Sequence, residues 1–375
     1  MARRILFWSP LYWPVIGGIE IFSRRLISGL RARGYDFAVL TSCGPQSQSD
    51  YARIDGVPVH RFPFLTALAE NDSRTLFAVL RGVAALKKEW RPDLVHLIFG
   101  NPAICFYHLK SSGAQPPPTL VTLVMNLAGV DPAPGSALRE TLGKADWLAS
   151  DSRATREEAL RICPEIAGRS SLIHNGVHVP SGEPSPPDPN RPHLVCLGRL
   201  SKEKGFDLAL AAFAQALKDF PSARLTIAGD GPAREQLEAQ ARELGVGEAV
   251  RFTGWLDPDR VPSLIYSAWA VVVPSRCADS LPAVVLEAAR QARPVVGTRA
   301  GGLSEMVVHG ETGWLFEIED MSGLLAGMKR LLADPGFVRS LGLAARERIL
   351  RLFSWDDCLN AYDRLYGRLL ATRTK

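Results

Sequence analysis

The sequence predicts two open α/β domains in tandem, each a doubly wound parallel sheet with helices on both faces. Three observations predict this. The 375 residues suffice for two domains, at roughly 150 residues each. Apolar runs of strand length alternate with amphipathic runs of helix length along the chain, the pattern of βαβ units. That alternation stops once, at residues 181–192, where five prolines fall in twelve residues, and then restarts.

The elements follow in order. Residues 3–8 read as a buried strand, 9–18 as a loop, 19–33 as a helix with Ile19, Phe22, Leu26, Ile27 and Leu30 on one stripe, and 35–41 as a second strand. Further strands are expected at 57–61, 94–98, 119–124, 146–150 and 171–173, with helices at 74–90, 102–110, 136–142 and 153–162. Proline at the density of 181–192 fits neither a helix nor a central strand, so this stretch reads as a stiff linker. Domain 1–180 precedes it. After it come a strand at 193–197, a loop at 198–205, a helix at 206–220 and a strand at 224–228. A helix running to 244 follows, opened by Pro232. Strands are expected at 249–253, 269–273 and 294–297, with a helix at 282–292. The second domain spans 193–354, and helices at 321–332, 336–351 and 355–371 fill the end. Ligands of such sheets bind at the carboxyl ends of the strands, which here means in a cleft between the domains.

Composition narrows the class. With 46% apolar residues and a net charge of +5, the chain is neither disordered nor low in complexity. No run of about 18 uncharged apolar residues could cross a membrane as a helix. The six cysteines form no C-x-x-C pair and no zinc spacing, which suits reduced residues of a cytoplasmic protein. Residues 1–180 hold 20 Lys+Arg and 15 Asp+Glu, and residues 181–375 hold 24 of each, so the first half carries the whole excess. The helix at 19–33 with Arg24, Arg25, Arg31 and Arg33, and the segment 81–91, are basic and amphipathic. Packing on the sheet is the ordinary explanation, and contact with anionic lipid at the inner face of the membrane is the alternative. Nucleic acid is not expected as a partner.

Three strand-end motifs carry chemistry. Gly198-Arg199 and Lys204-Gly205 bracket a strand-to-helix loop, and two cations five residues apart suit a diphosphate. The stretch 274–288 joins a strand to a helix and carries Asp279 and, eight residues later, Glu287. A carboxylate on a mostly apolar helix needs a partner: sugar or ribose hydroxyls would serve, and so would an arginine elsewhere. The backbone N–H groups of Leu281, Ala283 and Val284 stand at that helix's start. Gly301-Gly302 closes the next strand, as a packing turn or a ligand contact.

Together with Pro-x-x-Gly-Gly-x-Glu (14–20), His-Asn-Gly-Val (174–177), Ala-Gly-Asp-Gly-Pro (228–232) and Phe-Thr-Gly (252–254), these motifs resemble the retaining glycosyltransferases of family 4, which have the GT-B fold. The resemblance covers residues 3–371. It implies two Rossmann-like domains facing each other across a cleft, and a C-terminal helix, 355–375, that returns to the acceptor-binding N-terminal domain. It implies a hexosyltransferase-type enzyme that moves a sugar from a nucleotide-diphosphate sugar to an acceptor hydroxyl on a glycan, lipid-linked or small molecule. By the same resemblance, Arg199 and Lys204 hold the donor diphosphate, Asp279 the donor-sugar hydroxyls and Glu287 the ribose. Gly17 and Gly18 close over the phosphate, and the base packs near Leu256. No cofactor is implied, and with two cations on the diphosphate and no Asp-x-Asp the reading is metal-independent.

Two residues depart from the family pattern. Asp279 stands where a glutamate is usual. Val124 stands where a histidine often follows a Val-Thr-x strand, and valine offers no proton and no hydrogen bond. His96 reads as structural. The departures keep open a nucleotide-sugar-binding protein with impaired catalysis, and the two-domain fold keeps open a sugar-nucleotide epimerase or phosphorylase-like enzyme.

Overall fold

The computed structural model describes residues 3–43, 50–69, 72–127, 130, 133, 135–182 and 184–372. The chain divides into two compact units, one of Met1–Asn175 with Asp357–Lys375 and one of Gly176–Asp356. Most of the loop 41–50, and residues 70–71 of the loop 63–73, lie outside the described residues, as do residue 183 and residues 373–375.

The first unit is built from β1 (Arg3–Trp8), α1 (Gly18–Arg31), β2 (Tyr35–Ser42), β3 (Tyr51–Ile54), β4 (Val57–Phe62), α2 (Phe64–Ala69) and α3 (Ser73–Trp90). It continues with β5 (Leu94–Phe99), α4 (Pro102–Lys110), β6 (Thr119–Leu123), α5 (Ala137–Lys144), β7 (Trp147–Ser150), α6 (Arg153–Ile162) and β8 (Ser170–Leu172). The strands make one sheet in the order β3-β4-β2-β1-β5-β6-β7-β8. All are parallel except β3, which pairs antiparallel with β4. β3 went unread in the sequence because it is short and lies outside the βαβ rhythm. Its one signal is Asp55-Gly56, with both residues at positive φ, a two-residue hairpin turn. Side-chain caps start the helices: Asp72 accepts from the Arg74 N–H, Asn101 from that of Ile104, and Ser152 from that of Thr155. The central strands are buried on both faces, as a parallel sheet between helices requires.

The second unit has β9 (His193–Leu197), α7 (Phe206–Asp219), β10 (Arg224–Ala228), α8 (Arg234–Glu243), β11 (Val250–Gly254), α9 (Val261–Tyr266) and β12 (Ala270–Val273). It goes on with α10 (Ala283–Arg290), β13 (Val295–Thr298), α11 (Leu303–Met306), β14 (Gly313–Phe316), α12 (Met321–Leu332) and α13 (Pro335–Leu352). The six parallel strands run β11-β10-β9-β12-β13-β14. The strand order therefore reverses between β9 and β12, the switch point at which such sheets take their ligands. The proline-rich 181–192 stretch lies inside this unit. Arg293 donates to the Ser185 carbonyl at 3.2 Å, and the Trp269 indole to that of Asp188 at 2.7 Å.

The last helix, α14 (Trp355–Ala371), carries the chain back to the first unit. There a polar network receives it, buried around His96 and partly exposed around Asp363. His96 bonds the Tyr366 hydroxyl and Thr122 Oγ1, each at 2.7 Å, and Asp363 accepts from Tyr35 at 2.8 Å and Arg33 at 2.9 Å. Burial pushes the His96 imidazole down to about 3, so it is neutral and structural. Two of the α1 arginines, Arg24 and Arg31, are likewise engaged within this unit. Arg24 pairs with Asp55 and Arg31 bonds its carbonyl, while Phe22, Leu26, Ile27 and Leu30 are buried. α1 is thus a helix packed on its own sheet.

Candidate active site

At the switch point of the second sheet, the loop after β9 carries Lys204 and the loop after β12 carries Asp279. Lys204 Nζ lies 2.8 Å from both carboxylate oxygens of Asp279, with both side chains about a quarter exposed. Ser275 Oγ donates to the same carboxylate at 3.2 Å. The two loops are stitched together by backbone. The Arg276 N–H donates to the Glu203 carbonyl at 2.8 Å. Gly205, at φ +68°, packs so closely that a Cβ would collide with the Pro274 carbonyl. From the loop after β13, the Gly302 N–H donates to the Asp279 carbonyl at 3.0 Å, and a Cβ at Gly301 would strike that carbonyl. Three strand-end loops thus converge on Asp279.

Arg276 braces this convergence. Its guanidinium forks onto Asp207 at 2.6 and 2.7 Å, donates to the Lys202 carbonyl at 2.9 Å and pairs with Glu319. Burial alone would raise the Asp207 carboxyl, but these bonds outweigh it and hold the group below its usual range. Arg276 was not singled out in the sequence. Its one signal is an arginine three residues before Asp279 in a strand-to-helix loop.

The other expected site residues are placed as follows. Arg199 is exposed and pairs with Glu203 at 3.3 Å. The Ser201 hydroxyl bonds the same Glu203 at 2.6 Å and, with that pairing, keeps its carboxyl low. Glu287 sits on α10 and pairs with Arg290 at 3.1 Å, both largely buried. The arginine alternative for Glu287 is therefore the contact present in this structure. Leu281 is buried just before α10, Ala283 and Val284 form its first turn, and Pro282 provides no side-chain cap to their N–H groups. Leu256 is half-buried beyond the end of β11, where Gly254 accepts from the Gly229 N–H at 2.9 Å.

Gly17 and Gly18 open α1 in the first unit, on the loop that leaves β1 at that sheet's own switch point between β1 and β5. Glu20 folds back over Gly17, so that a Cβ there would meet its carboxylate, and burial pushes the Glu20 carboxyl up. Val124 directly follows β6 and is half-buried. Among the described residues no group of three or more His, Cys, Asp or Glu is arranged to hold a metal ion, and no helix is long and apolar enough to cross a membrane.

Comparison with known proteins shows the family and the fold. Residues 182–348 match the family model described as glycosyl transferases group 1, and residues 17–176 match that of a glycosyl transferase 4-like domain. The chain is 31% identical to a glycogen synthase of Mycobacterium tuberculosis, over 97% of this chain and 94% of that protein. It is also 31% identical to a GDP-mannose-dependent alpha-(1-6)-phosphatidylinositol monomannoside mannosyltransferase of Mycolicibacterium smegmatis, over 60% of this chain and 63% of that one. Among solved structures, the sucrose-phosphate synthase of Thermosynechococcus elongatus superposes with a TM-score of 0.83 at 23% identity, covering 99% of this chain and 100% of that one. That superposition shows the GT-B fold.

Proposed function

The chain belongs to the glycosyl transferases group 1 family and is a nucleotide-sugar-dependent glycosyltransferase, and from that premise we propose a retaining, metal-independent hexosyl transfer to an acceptor hydroxyl. The domain at residues 193–354, inside the second unit, holds the donor, and the domain at residues 1–180, nearly all of it in the first unit, takes the acceptor. The observation that carries this reading is the Lys204–Asp279 pair at the β9/β12 switch point. A cation and a carboxylate held together there suit a donor that is a diphosphate at one end and a polyol at the other.

The donor diphosphate takes over the Lys204 ammonium, with Arg199 as its second cation, and Asp279 turns to the sugar hydroxyls. Glu287 exchanges its contact with Arg290 for the ribose. The N–H groups of Leu281, Ala283 and Val284 face the phosphates, Leu256 borders the base, and Gly17 and Gly18 add backbone N–H groups to donor binding. The bond from the anomeric carbon to the phosphate oxygen breaks as the acceptor oxygen bonds that carbon on the same face. The acceptor proton passes to the departing phosphate oxygen, so the nucleoside diphosphate leaves with the proton. Lys204 and Arg199 stabilise the charge that grows on it, the electrostatic contribution that dominates much enzymatic catalysis. This route uses no proton carrier at Val124. Nucleotide release from a panel of UDP-, GDP- and ADP-sugars tests the reading. Turnover that survives in Lys204→Ala, or that EDTA abolishes in the parent chain, counts against it.

We place the enzyme in the cytoplasm, with peripheral contact to anionic membrane through the 81–91 segment of the first unit rather than through α1, where Arg24 and Arg31 are engaged with Asp55. Co-sedimentation with liposomes that shows no dependence on anionic lipid removes this part of the reading.

A further inference from the structure

The proposed reaction uses the carboxyl edges of the sheets, but the amino edge of the first sheet has a site of its own. β1 runs from Arg3 to Trp8, so its two ends lie about 20 Å apart. At the amino end, where β1 neighbours β5, a cavity of about 1400 Å³ opens between the strand ends, the last turn of α3, the Pro-rich loop after α4 and the end of α14. Its lining brings together Arg3, Arg4, Lys87, Lys88 and Arg91, against two carboxylates, Asp36 and Asp93. Asp93 already accepts from the Arg4 backbone N–H at 2.9 Å. Among the described residues, none of the five cations takes part in an ion pair.

The wall is polar as well as basic. Lys87 Nζ donates to Ser111 Oγ at 2.9 Å and stands 5.5 Å from the Trp8 ring centroid, and burial pushes its ammonium down to about 7. His108 is buried beside it, and its Nδ1 has no hydrogen-bond partner. The dipole of α3 favours cations in its last turn and accounts for Lys87 and Lys88. It does not account for Arg3 and Arg4, which arrive from a different element. The five cations, from β1 and from the end of α3, outnumber the two carboxylates beside them, and a bound anion would offset their repulsion.

We propose that this groove binds a phosphate-bearing ligand, held by the guanidinium forks of Arg4 and Arg91 and the ammonium of Lys88, with the Ser111–Lys87–His108 cluster as its polar wall. Phosphate fits because it presents several acceptor oxygens to planar guanidinium donors. The phosphate comes either from a soluble phosphate compound or from a lipid headgroup. In either case the groove lies at the opposite end of β1 from the loop that carries Gly17 and Gly18, as suits an effector or an anchor rather than a substrate.

The test uses the full chain carrying Arg199→Ala and Lys204→Ala, which removes the diphosphate-binding cations of the second unit. Pyrophosphate binding is measured by calorimetry in that background, with and without Lys88→Glu and Arg91→Glu. Flotation with phosphatidylcholine vesicles, with and without phosphatidylglycerol, is measured on the same proteins. Pyrophosphate binding that weakens by about tenfold or more on charge reversal supports a soluble source. Flotation that depends on phosphatidylglycerol and is lost on charge reversal supports a headgroup. If neither probe binds, or neither responds to the reversal, the proposal is overturned. Circular dichroism and the melting temperature establish that the variants are folded. If the glutamates unfold the chain, Lys88→Gln with Arg91→Gln replaces them, and the same outcomes decide.

Discussion

At the carboxyl edge of the second sheet Lys204, Arg276 and Arg290 each face a carboxylate, whereas at the amino edge of the first sheet Arg3, Arg4, Lys87, Lys88 and Arg91 pair with none. The two edges also differ in how they are held. The first is stitched by backbone bonds across three loops, and the second is an open groove. The whole-chain charge of +5 belongs to the half that contains the groove, and the half that carries the proposed chemistry is neutral. Net charge therefore finds surplus charge and misses charge that is paired in place. A partly exposed ion pair contributes only about 1 kcal/mol or less to stability, so stability is a weak reason for Lys204 and Asp279 to stand together. A donor that needs both is a stronger one.

The largest effect expected of this comparison is on the paired edge. Lys204→Ala should lower the turnover number by about 100- to 1000-fold, the range seen when one charge-stabilising donor is removed. Its melting temperature should barely move. A large fall in melting temperature with turnover kept would show the pair to be structural. Arg276→Ala should lower kcat/KM by about 10- to 100-fold by loosening the loops that place Lys204 and Asp279. Arg276→Lys should recover little, because an ammonium cannot fork onto Asp207. Full activity in either variant would remove Arg276 as a positioning residue. Glu287→Ala should raise the donor KM by about tenfold with kcat nearly unchanged, the pattern of a lost binding contact. An unchanged KM would leave Glu287 as the partner of Arg290 alone.

The smallest effect concerns the first unit's core. His96 has an ordinary value of 6.5 and is held down to about 3, and His108 behaves likewise. The folded unit binds fewer protons than the unfolded chain in that window. Stability is therefore full above about pH 6.5 and is lost as pH falls toward about 3. The melting temperature should drop through that range, and less steeply in His96→Asn. An equal slope in the variant would assign the acid sensitivity to other groups.

Much of the fold was legible because parallel sheets buried on both faces write long apolar strands between amphipathic helices. The elements that went unread are short and lack that rhythm: β3, β14, α2, α9 and α11. Of these β3 had a readable sign in Asp55-Gly56. The candidate site was legible as loops at strand ends, since Lys204, Asp279 and Glu287 stand at characteristic places along the chain. What the sequence could not show is who partners whom. Lys204 and Asp279 are 75 residues apart, and Arg276 and Asp207 are 69 apart. Glu287 and Arg290 are only three apart, a spacing at which helical side chains meet, and that pairing could have been read. The groove was beyond reach for the same reason: Arg3, Arg4 and Lys88 become neighbours only once β1 and α3 are packed.

The central claim is that donor diphosphate displaces Asp279 from Lys204. Calorimetry with UDP, GDP and ADP on the parent chain, Lys204→Ala and Asp279→Asn tests it most directly, read beside transfer rates for the same proteins. Lys204→Ala should weaken the preferred nucleoside diphosphate by about tenfold or more. Asp279→Asn should bind it at least as tightly as the parent while transferring sugar far more slowly. Equal weakening of the nucleotide by both variants, or undiminished transfer by Asp279→Asn, would contradict it.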